Sequence, residues 1–276
     1  MAKEIYSAVG GTAQKVQSIY TGVAGNARKV TKVYTGVNGV ARLSWEACSI
    51  SPVFAENTWE QIGKAIELDA VPDTWAVGDT KDITLTDGNV ITMMIYGINH
   101  DDLPGGGKAR FALGTKYLIW GTWQMNATNT NVGGFAGSAL YAWLSGAFWN
   151  TLPAGFRAII KPVVKRTSTG NMSSVIRSNT MPIFLLSQFE VTGTITHNAR
   201  QFSFAGEGAR YEIFTRGLAP MIRHRDNGTG ALSVWWLRSP YRGNNAAFAA
   251  VNGLGDVITS NASLISNRAV CFGCCI

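Results

Sequence analysis

Apolar and polar residues alternate with the period of short strands along the first 44 residues, and this pattern repeats. Residues 5–9, 19–23 and 33–37 have closely similar sequences and follow one another with a period of 14. Each unit places β-branched and aromatic residues around a Gly-containing turn, most clearly at Val37-Asn38-Gly39-Val40, which predicts a hairpin with a two-residue turn. Isolated hairpins are marginally stable in water. We therefore expect these three to need a partner surface, on sister chains, on another protein or on the main domain.

From Trp45 onward the pattern changes to longer elements. Thr58–Leu68 has a capping threonine and apolar residues at helical spacing, which predicts an amphipathic helix. Apolar and polar residues alternate in Thr80–Ile98 on both sides of Asp87-Gly88, which predicts a further hairpin with its turn at these two residues. Ser138–Trp149 predicts another helix, and Pro153 begins a third, shorter one.

Strand-like segments dominate the last third of the chain. They are Ile183–Leu186, Val234–Leu237, the alternating stretch around Phe248 and Val251, and Val270–Phe272. Two or three helices followed by antiparallel strands and long Gly- and Asn-rich loops indicate an α+β fold. We predict a β-rich repeat segment at residues 1–44 and one larger domain at residues 45–276.

Composition narrows the class of protein. The chain is 46% hydrophobic and 15% charged, which suits a globular domain, and its 24 Lys and Arg residues are scattered rather than blocked. Neither a nucleic-acid-binding face nor membrane insertion is therefore predicted. No secretory leader is recognisable at the N-terminus. The four cysteines lack the even spacing of a secreted disulfide scaffold, so we expect assembly in a cytoplasm.

One segment carries a family resemblance. Trp235-Trp236-Leu237-Arg238-Ser239-Pro240, followed by Gly, Asn and small residues and a terminal Cys-Ile, resembles the WWLRSP family of C-type-lectin-fold domains. Many members of that family are similar to the variable proteins of diversity-generating retroelements. The resemblance spans about Trp59 to Ile276. Separately, the N-terminal repeat resembles repeats common at the start of phage tail and other virion-associated proteins.

The resemblance implies a C-type-lectin-like domain that is not an enzyme and has a variable region at about residues 235–276. Its displayed stretch, Tyr241–Asn267, would bind a host-surface protein or glycan. The N-terminal repeat would attach the protein to other components of a bacteriophage tail or fibre assembled in the bacterial cytoplasm, as a homo-oligomer with a trimer as first expectation. The implied ligand-binding residues are Tyr241, Arg242, Asn244, Asn245, Ala247, Phe248, Ala250, Asn252, Leu254, Asp256, Ile258, Ser260 and Asn261.

Two sequence details bear on this resemblance. Adenine mutagenesis of Asn-type codons yields no Lys, Glu, Gln, Met or Trp, and Tyr241–Asn267 contains none of these five. An ordinary Gly-rich loop would often lack them too. The family's usual GVRP ending is absent, because the chain ends Arg268–Ile276 with a different sequence, which leaves any role of an arginine there in doubt.

Candidate chemistry elsewhere is sparse. His100-Asp101-Asp102 could bind a divalent cation, but neighbouring residues on a strand point in different directions, so a hydrogen-bonding role in a loop is favoured. Cys271, Cys274 and Cys275 could suggest zinc or redox chemistry without a complete ligand set. The alternative function is a formylglycine-generating-type oxidase or another enzyme on the same fold. We predict no catalytic residue, no metal and no cofactor.

The signature itself is expected to be mainly structural. Adjacent side chains of a strand face opposite ways, so at most one of Trp235 and Trp236 could reach a surface. Arg238 lies between apolar and small residues, and a buried arginine there would need a carboxylate partner. We expect that partner to be Glu190 or Glu207.

Overall fold

The computed structural model describes residues 6–9, 12–15, 19–23, 26–30, 32–37, 40–46, 49–194, 196–197, 200–201, 206–217 and 219–276. The chain divides into two compact units, Met1–Trp75 and Ala76–Ile276. This division falls after the first helix, whereas the sequence changes character between residues 44 and 45. The predicted extent of the larger domain, from residue 45, stays a prediction.

Three two-stranded antiparallel hairpins form the beginning of the first unit, as the repeat predicts. Val9, Val23 and Val37 each end the first strand of a hairpin and pair with Thr12, Asn26 and Val40. The predicted Asn38-Gly39 turn lies outside the described residues. The strands are β1 (Tyr6–Val9), β2 (Thr12–Lys15), β3 (Ile19–Val23), β4 (Asn26–Val30), β5 (Lys32–Val37) and β6 (Val40–Glu46).

The predicted helix at Thr58 is confirmed as α1 (Trp59–Glu67). Thr58 and Gln61 form a reciprocal capping box, which satisfies amide groups that the first turn leaves free. A short 3₁₀ turn (Phe54–Glu56) precedes it. The rings of Trp59 and Trp75 contact Phe54 edge-on, with centroids 6.1 and 5.3 Å away. All three rings are buried.

The centre of the second unit is a five-stranded antiparallel sheet with the strand order β12-β19-β9-β8-β7. The predicted Thr80–Ile98 hairpin supplies two of its strands. The C-terminal strand lies inside the sheet, and the Ile276 and Phe111 backbones exchange hydrogen bonds of 3.0 and 2.9 Å. The strands are β7 (Thr80–Thr84), β8 (Val90–Ile98), β9 (Phe111–Thr115), β12 (Ile183–Leu185) and β19 (Phe272–Cys275).

A four-stranded sheet with the order β17-β16-β15-β18 carries the signature segment. Its strands are antiparallel except for the parallel pair β15 and β18. The strand predicted at Val270–Phe272 is instead split, because Val270 and Cys271 separate β18 from β19. The strands are β15 (Val234–Pro240), β16 (Ala247–Val251), β17 (Val257–Asn261) and β18 (Arg268–Ala269).

Shorter elements complete the second unit. The hairpins are β10 (Val163–Ser168) with β11 (Ile176–Met181) and β13 (Thr196–His197) with β14 (Arg200–Gln201). The helices are α2 (Ala139–Trp143), α3 (Trp149–Thr151), α4 (Ala154–Ile159) and α5 (Gln188–Thr192). Single 3₁₀ turns lie at Phe135–Gly137, Glu212–Arg216, Ala219–Met221 and Asp226–Gly228.

A π-helical stretch, Leu144–Phe148, joins α2 to α3 and modifies the predicted helix. The wider π turn shifts the buried stripe. Leu140, Leu144 and Phe148 are buried, while Ala147, predicted on the same stripe, is exposed. The fold class is therefore α+β, as predicted. None of the helices in the described part of the chain has the length and apolar character needed to cross a bilayer.

Candidate functional site

Strand β15, which contains the signature, is buried along almost its whole length. Trp235 and Trp236 are both inaccessible, so neither stacks on an external ligand. Their indole N–H groups donate to the carbonyls of Met221 (3.0 Å) and Trp123 (2.6 Å). A buried indole requires such an acceptor. The mainly structural role predicted for this pair agrees with this burial.

Arg238 forms the predicted ion pair with Glu190. Its Nη1 donates to Glu190 Oε2 and its Nη2 donates to Glu190 Oε1 at 2.9 Å, a two-pronged contact. The same guanidinium donates to the carbonyl oxygens of Leu185 (2.9 Å) and Glu207 (2.6 Å). It thus joins β15 to the end of β12, to α5 and to the segment at Glu207.

Glu190 and Glu207 are fixed by neighbouring serines. The Ser187 amide donates to Glu190 Oε2 at 2.9 Å, and the Glu190 amide donates to Ser187 Oγ at 3.0 Å, which is the capping box of α5. The Ser239 hydroxyl donates to Glu207 Oε2, and the Ser168 amide donates to Glu207 Oε1 at 2.7 Å. Burial raises the pKa of Glu207 above its ordinary value.

Lys165 on β10 is a second buried cation, which sequence reasoning missed. Its ammonium donates to Asp101, to Glu190 Oε1 at 3.0 Å and to the Tyr211 hydroxyl at 2.6 Å. It also lies 3.8 Å from the centroid of the Phe184 ring. Burial alone would lower the pKa of Lys165, but Asp101 and Glu190 raise it, so the ammonium stays charged.

The His100-Asp101-Asp102 trio divides between two environments. The Tyr211 hydroxyl donates to Asp101 Oδ2 at 2.9 Å, and the His100 ring stacks on Tyr211 with centroids 4.0 Å apart. Asp102 instead makes an exposed ion pair with Lys108 at 2.8 Å. The predicted hydrogen-bonding role is confirmed for Asp101. Within the described residues, no group of three His, Cys, Asp or Glu side chains is placed to hold a metal ion.

Opposite charges balance within this buried network. Burial alone would raise the pKa values of Asp101 and Glu190, but Lys165 with His100 outweighs it at Asp101, and Arg238 with Lys165 outweighs it at Glu190. Both carboxylates therefore have pKa values below the ordinary range and stay ionised at neutral pH. Groups locked in one charge state are suited to holding strands together rather than to exchanging protons during a reaction.

The terminal cysteines are buried free thiols. Burial raises the pKa of Cys274 and Cys275 well above that of a free thiol. The Cys275 thiol donates to Asp101 Oδ2 at 3.3 Å and so belongs to the network. A nucleophilic or metal-binding cysteine acts as its thiolate, and this environment disfavours the oxidase alternative. Cys48 lies outside the described residues.

The predicted ligand residues fall into three groups. Arg242, Asn244, Asn245, Leu254 and Asn261 are exposed. Tyr241, Asn252, Asp256 and Ile258 are half-buried. Four others, Ala247, Phe248, Ala250 and Ser260, are buried, with at most 3% of their surface exposed.

The burial of these four residues does not agree with the ligand-binding role that the resemblance implies for them. Strand β16 lies between β15 and β17 and is covered on both faces, so Phe248 and its neighbouring alanines belong to the core. Ser260 on β17 is held from within, because Arg268 Nε donates to its hydroxyl at 2.5 Å. Arg268 thus has a structural role despite the altered ending of the chain.

The exposed residues among the thirteen do not all lie on one surface. Ala247 pairs with Asn261 at one end of the β16–β17 hairpin, and Val251 pairs with Val257 at the other. A five-residue strand extends about 17 Å. The loop Tyr241–Ala246 and the turn Asn252–Asp256 are therefore at opposite ends. We name the surface formed by Arg242, Asn244, Asn245 and Asn261 the loop-end surface.

Asn131 organises the loop-end surface, and sequence reasoning missed its role. It is inaccessible, and its Nδ2 donates to the carbonyls of Asn244 (2.9 Å), Ala247 (2.8 Å) and Tyr241 (3.3 Å). Its Oδ1 accepts from the Asn171 amide at 2.8 Å. One side chain therefore connects three loops. Its only signal in the sequence was its position in an Asn-rich stretch.

The structure thus defines an α+β domain in which a buried ionic network supports an exposed polar loop. Residues 111–275, more than half of the chain, match the domain family of unknown function DUF6273. The chain belongs to this family. No curated protein and no solved structure matches it.

Proposed function

We propose that this chain is a non-enzymatic ligand-binding protein that recognises a host-surface ligand through the loop-end surface. One contrast carries the proposal. The signature strand β15 is buried and fixed by Arg238, and the exposed Arg242, Asn244 and Asn245 follow within a few residues. A rigid base beneath exposed side chains permits their replacement without unfolding, which a diversified binding surface requires.

The proposal also includes a C-type-lectin-like fold for the second unit and display of the protein on a phage tail or fibre. Two larger sheets, short helices and long loops in the second unit are compatible with a C-type-lectin-like fold. The triple hairpin repeat is compatible with an attachment segment of a phage tail or fibre, displayed as a trimer. In this setting the repeat binds other virion proteins, and the loop-end surface faces the host, as in variable proteins of diversity-generating retroelements.

Binding to intact bacterial cells tests this function. The variant combining Arg242→Ala, Asn245→Ala and Asn261→Ala should lose binding of the fluorescently labelled protein to a panel of candidate host strains. Its melting temperature should change little, because exposed substitutions seldom alter stability by more than about 0.5 kcal/mol. Leu254→Ala, at the opposite end of the hairpin and 74% exposed, is the matched control. Equal binding by the triple variant and the unmodified protein would refute the proposal.

A further inference from the structure

A cleft of about 370 Å³ is formed by two of the loops that Asn131 connects. One wall contains Val132, Gly133 and Ala136, and the other consists of residues 167–171 with Ser173, Arg177 and Asn179. This volume is within the range of small-ligand sites. None of the thirteen residues first expected to bind a ligand lines it.

The two walls are held in backbone contact. A Cβ at Gly170, whose φ is +69°, would lie 1.7 Å from the Asn131 carbonyl oxygen. A Cβ at Gly134, whose φ is +62°, would lie 2.1 Å from the Ser168 carbonyl oxygen. Only glycine permits such an approach in this conformation. The cleft therefore has fixed dimensions.

The lining is cationic and rich in hydrogen-bonding groups. Arg177 lies across from Thr167 in the β10–β11 hairpin and is exposed, and in the described part of the chain its guanidinium makes no ion pair. Asn179 Nδ2 donates to Thr167 Oγ1 at 2.8 Å, which orients the amide. No Asp or Glu occurs among residues 103–189 or 227–255. The cleft and the adjoining loop Tyr241–Ala246 thus contain arginine residues but no Asp or Glu residue.

One carboxyl group lies behind this wall but does not line the cleft. Glu207 is inaccessible, and its two oxygens accept hydrogen bonds from Ser168 and Ser239. Burial raises the pKa of Glu207. Its oxygens are occupied by these two hydrogen bonds.

We infer that this cleft binds the carboxylate-bearing sugar of an acidic glycan, with Arg177 as the carboxylate-binding residue. The inference rests on the proposed function, since it assigns the ligand class of the surface beside the cleft. A guanidinium binds a carboxylate through two parallel hydrogen bonds, and the amides and hydroxyls suit sugar hydroxyls. A protein ligand is disfavoured, because the lining has no aromatic anchor or deep apolar pocket of the kind that dominates protein interfaces.

Calorimetric titration of the full chain tests the inference with matched sugar pairs: sialyllactose with lactose, and galacturonic acid trimer with galactose trimer. We expect at least one acidic sugar to bind at least tenfold more tightly than its neutral partner. Arg177→Gln should remove this preference. Lys161→Gln makes the same charge change on an exposed residue before the opposite end of β10, and it should leave binding unchanged.

Several results would overturn the inference. They are equal affinity for acidic and neutral sugars, no binding of either acidic sugar, unchanged binding by Arg177→Gln, and Arg177-dependent binding of an oligoglutamate peptide in place of the sugars. Failure of the proposed function gives a different result from failure of the cleft assignment. In that case Arg177→Gln loses the acidic sugar while the Arg242, Asn245 and Asn261 triple variant still binds cells. If the triple variant loses cell binding but Arg177→Gln retains sugar binding, only the cleft assignment fails.

Discussion

Arg238 illustrates what a single residue type contributes at a buried position. Its planar guanidinium contacts both Glu190 oxygens and three backbone carbonyls at once. A lysine carries the same charge but presents a single ammonium, which cannot reproduce these directions. Leaving a buried carboxylate without its full set of partners is costly.

We therefore expect Arg238→Lys to lower the free energy of unfolding by about 3 kcal/mol. Arg242→Lys is the control, because Arg242 is exposed and the same substitution there should change stability by less than about 0.5 kcal/mol. Urea denaturation of the full-length variants measures both values. Similar stability of the two variants would show that the network beneath the signature contributes little.

Acid should weaken the network for a related reason. The folded-state pKa values of Asp101 and Glu190 are depressed, so their contribution is present above the unfolded-state pKa and is lost as pH falls. We expect the free energy of unfolding to decline below roughly pH 4, where carboxyl groups of unfolded chains titrate. Glu207 acts in the opposite direction, because its pKa is raised.

Asp101→Asn provides the comparison for this pH dependence. Removing a depressed carboxyl should make the difference in stability between pH 7 and pH 3 smaller, although the variant is less stable at pH 7. Glu207→Gln should make that difference larger, because it removes a group that offsets the acid loss. Denaturant titrations at several pH values decide the matter. Parallel profiles for all three proteins would contradict the assignment of charges in the network.

Residue-scale prediction from the sequence succeeded where an isolated charge lay in an apolar strand. Arg238 required a carboxylate, and Glu190 is its partner. Lys165 gave no such signal, because Val163, Lys165 and Thr167 share a strand face on which the sequence mixes apolar and polar residues. Its partner Asp101 is 64 residues away, and no local pattern carries that pairing.

At the scale of elements, local signals were sufficient for hairpins and helix starts. The strand pairs of the repeat, the Thr58 cap and the Asp87-Gly88 turn all depend on residues within a few positions. The burial of β16 could not be predicted from such local signals. Whether a strand lies inside or at the edge of a sheet depends on neighbours elsewhere in the chain, and here β17 takes the edge position.

Loops also depend on such distant contacts, as Asn131 shows. Asn131→Ala would remove the side-chain donor to the Asn244 carbonyl and one of two donors to the Ala247 carbonyl, which keeps the Tyr241 amide, at about 1 kcal/mol per lost hydrogen bond. We expect faster amide hydrogen exchange in residues 241–247 and 169–175, with β8 and β9 protected. Asn126→Ala is the control, since the described hydrogen bonds of the Asn126 side chain join Thr130 and Ala139 within its own region. Unchanged exchange in residues 241–247 would show that Asn131 does not position the loop.

At the scale of the whole molecule, the sequence indicated the α+β class but not the strand order. The C-terminal strand β19 lies between β12 and β9, and pairing of such distant segments leaves no local trace. The change of character after residue 44 was visible from the repeat alone. The structure instead divides the chain after Trp75, and within the first unit Phe54 contacts the rings of both Trp59 and Trp75.

Deleting residues 1–44 should therefore leave residues 45–276, the head, folded but no longer able to form an oligomer. The strands of both larger sheets come from residues 80–275, so the core of the second unit does not require the repeats. Marginal hairpins with apolar faces gain stability from sister copies, which favours a symmetric oligomer. Light scattering should give a trimer mass for the full chain and a monomer mass for residues 45–276. Comparison with residues 76–276 by thermal melting tests where the stable head begins. A monomeric full chain together with an unfolded head of residues 45–276 would show that the repeat belongs to the core rather than to an attachment segment.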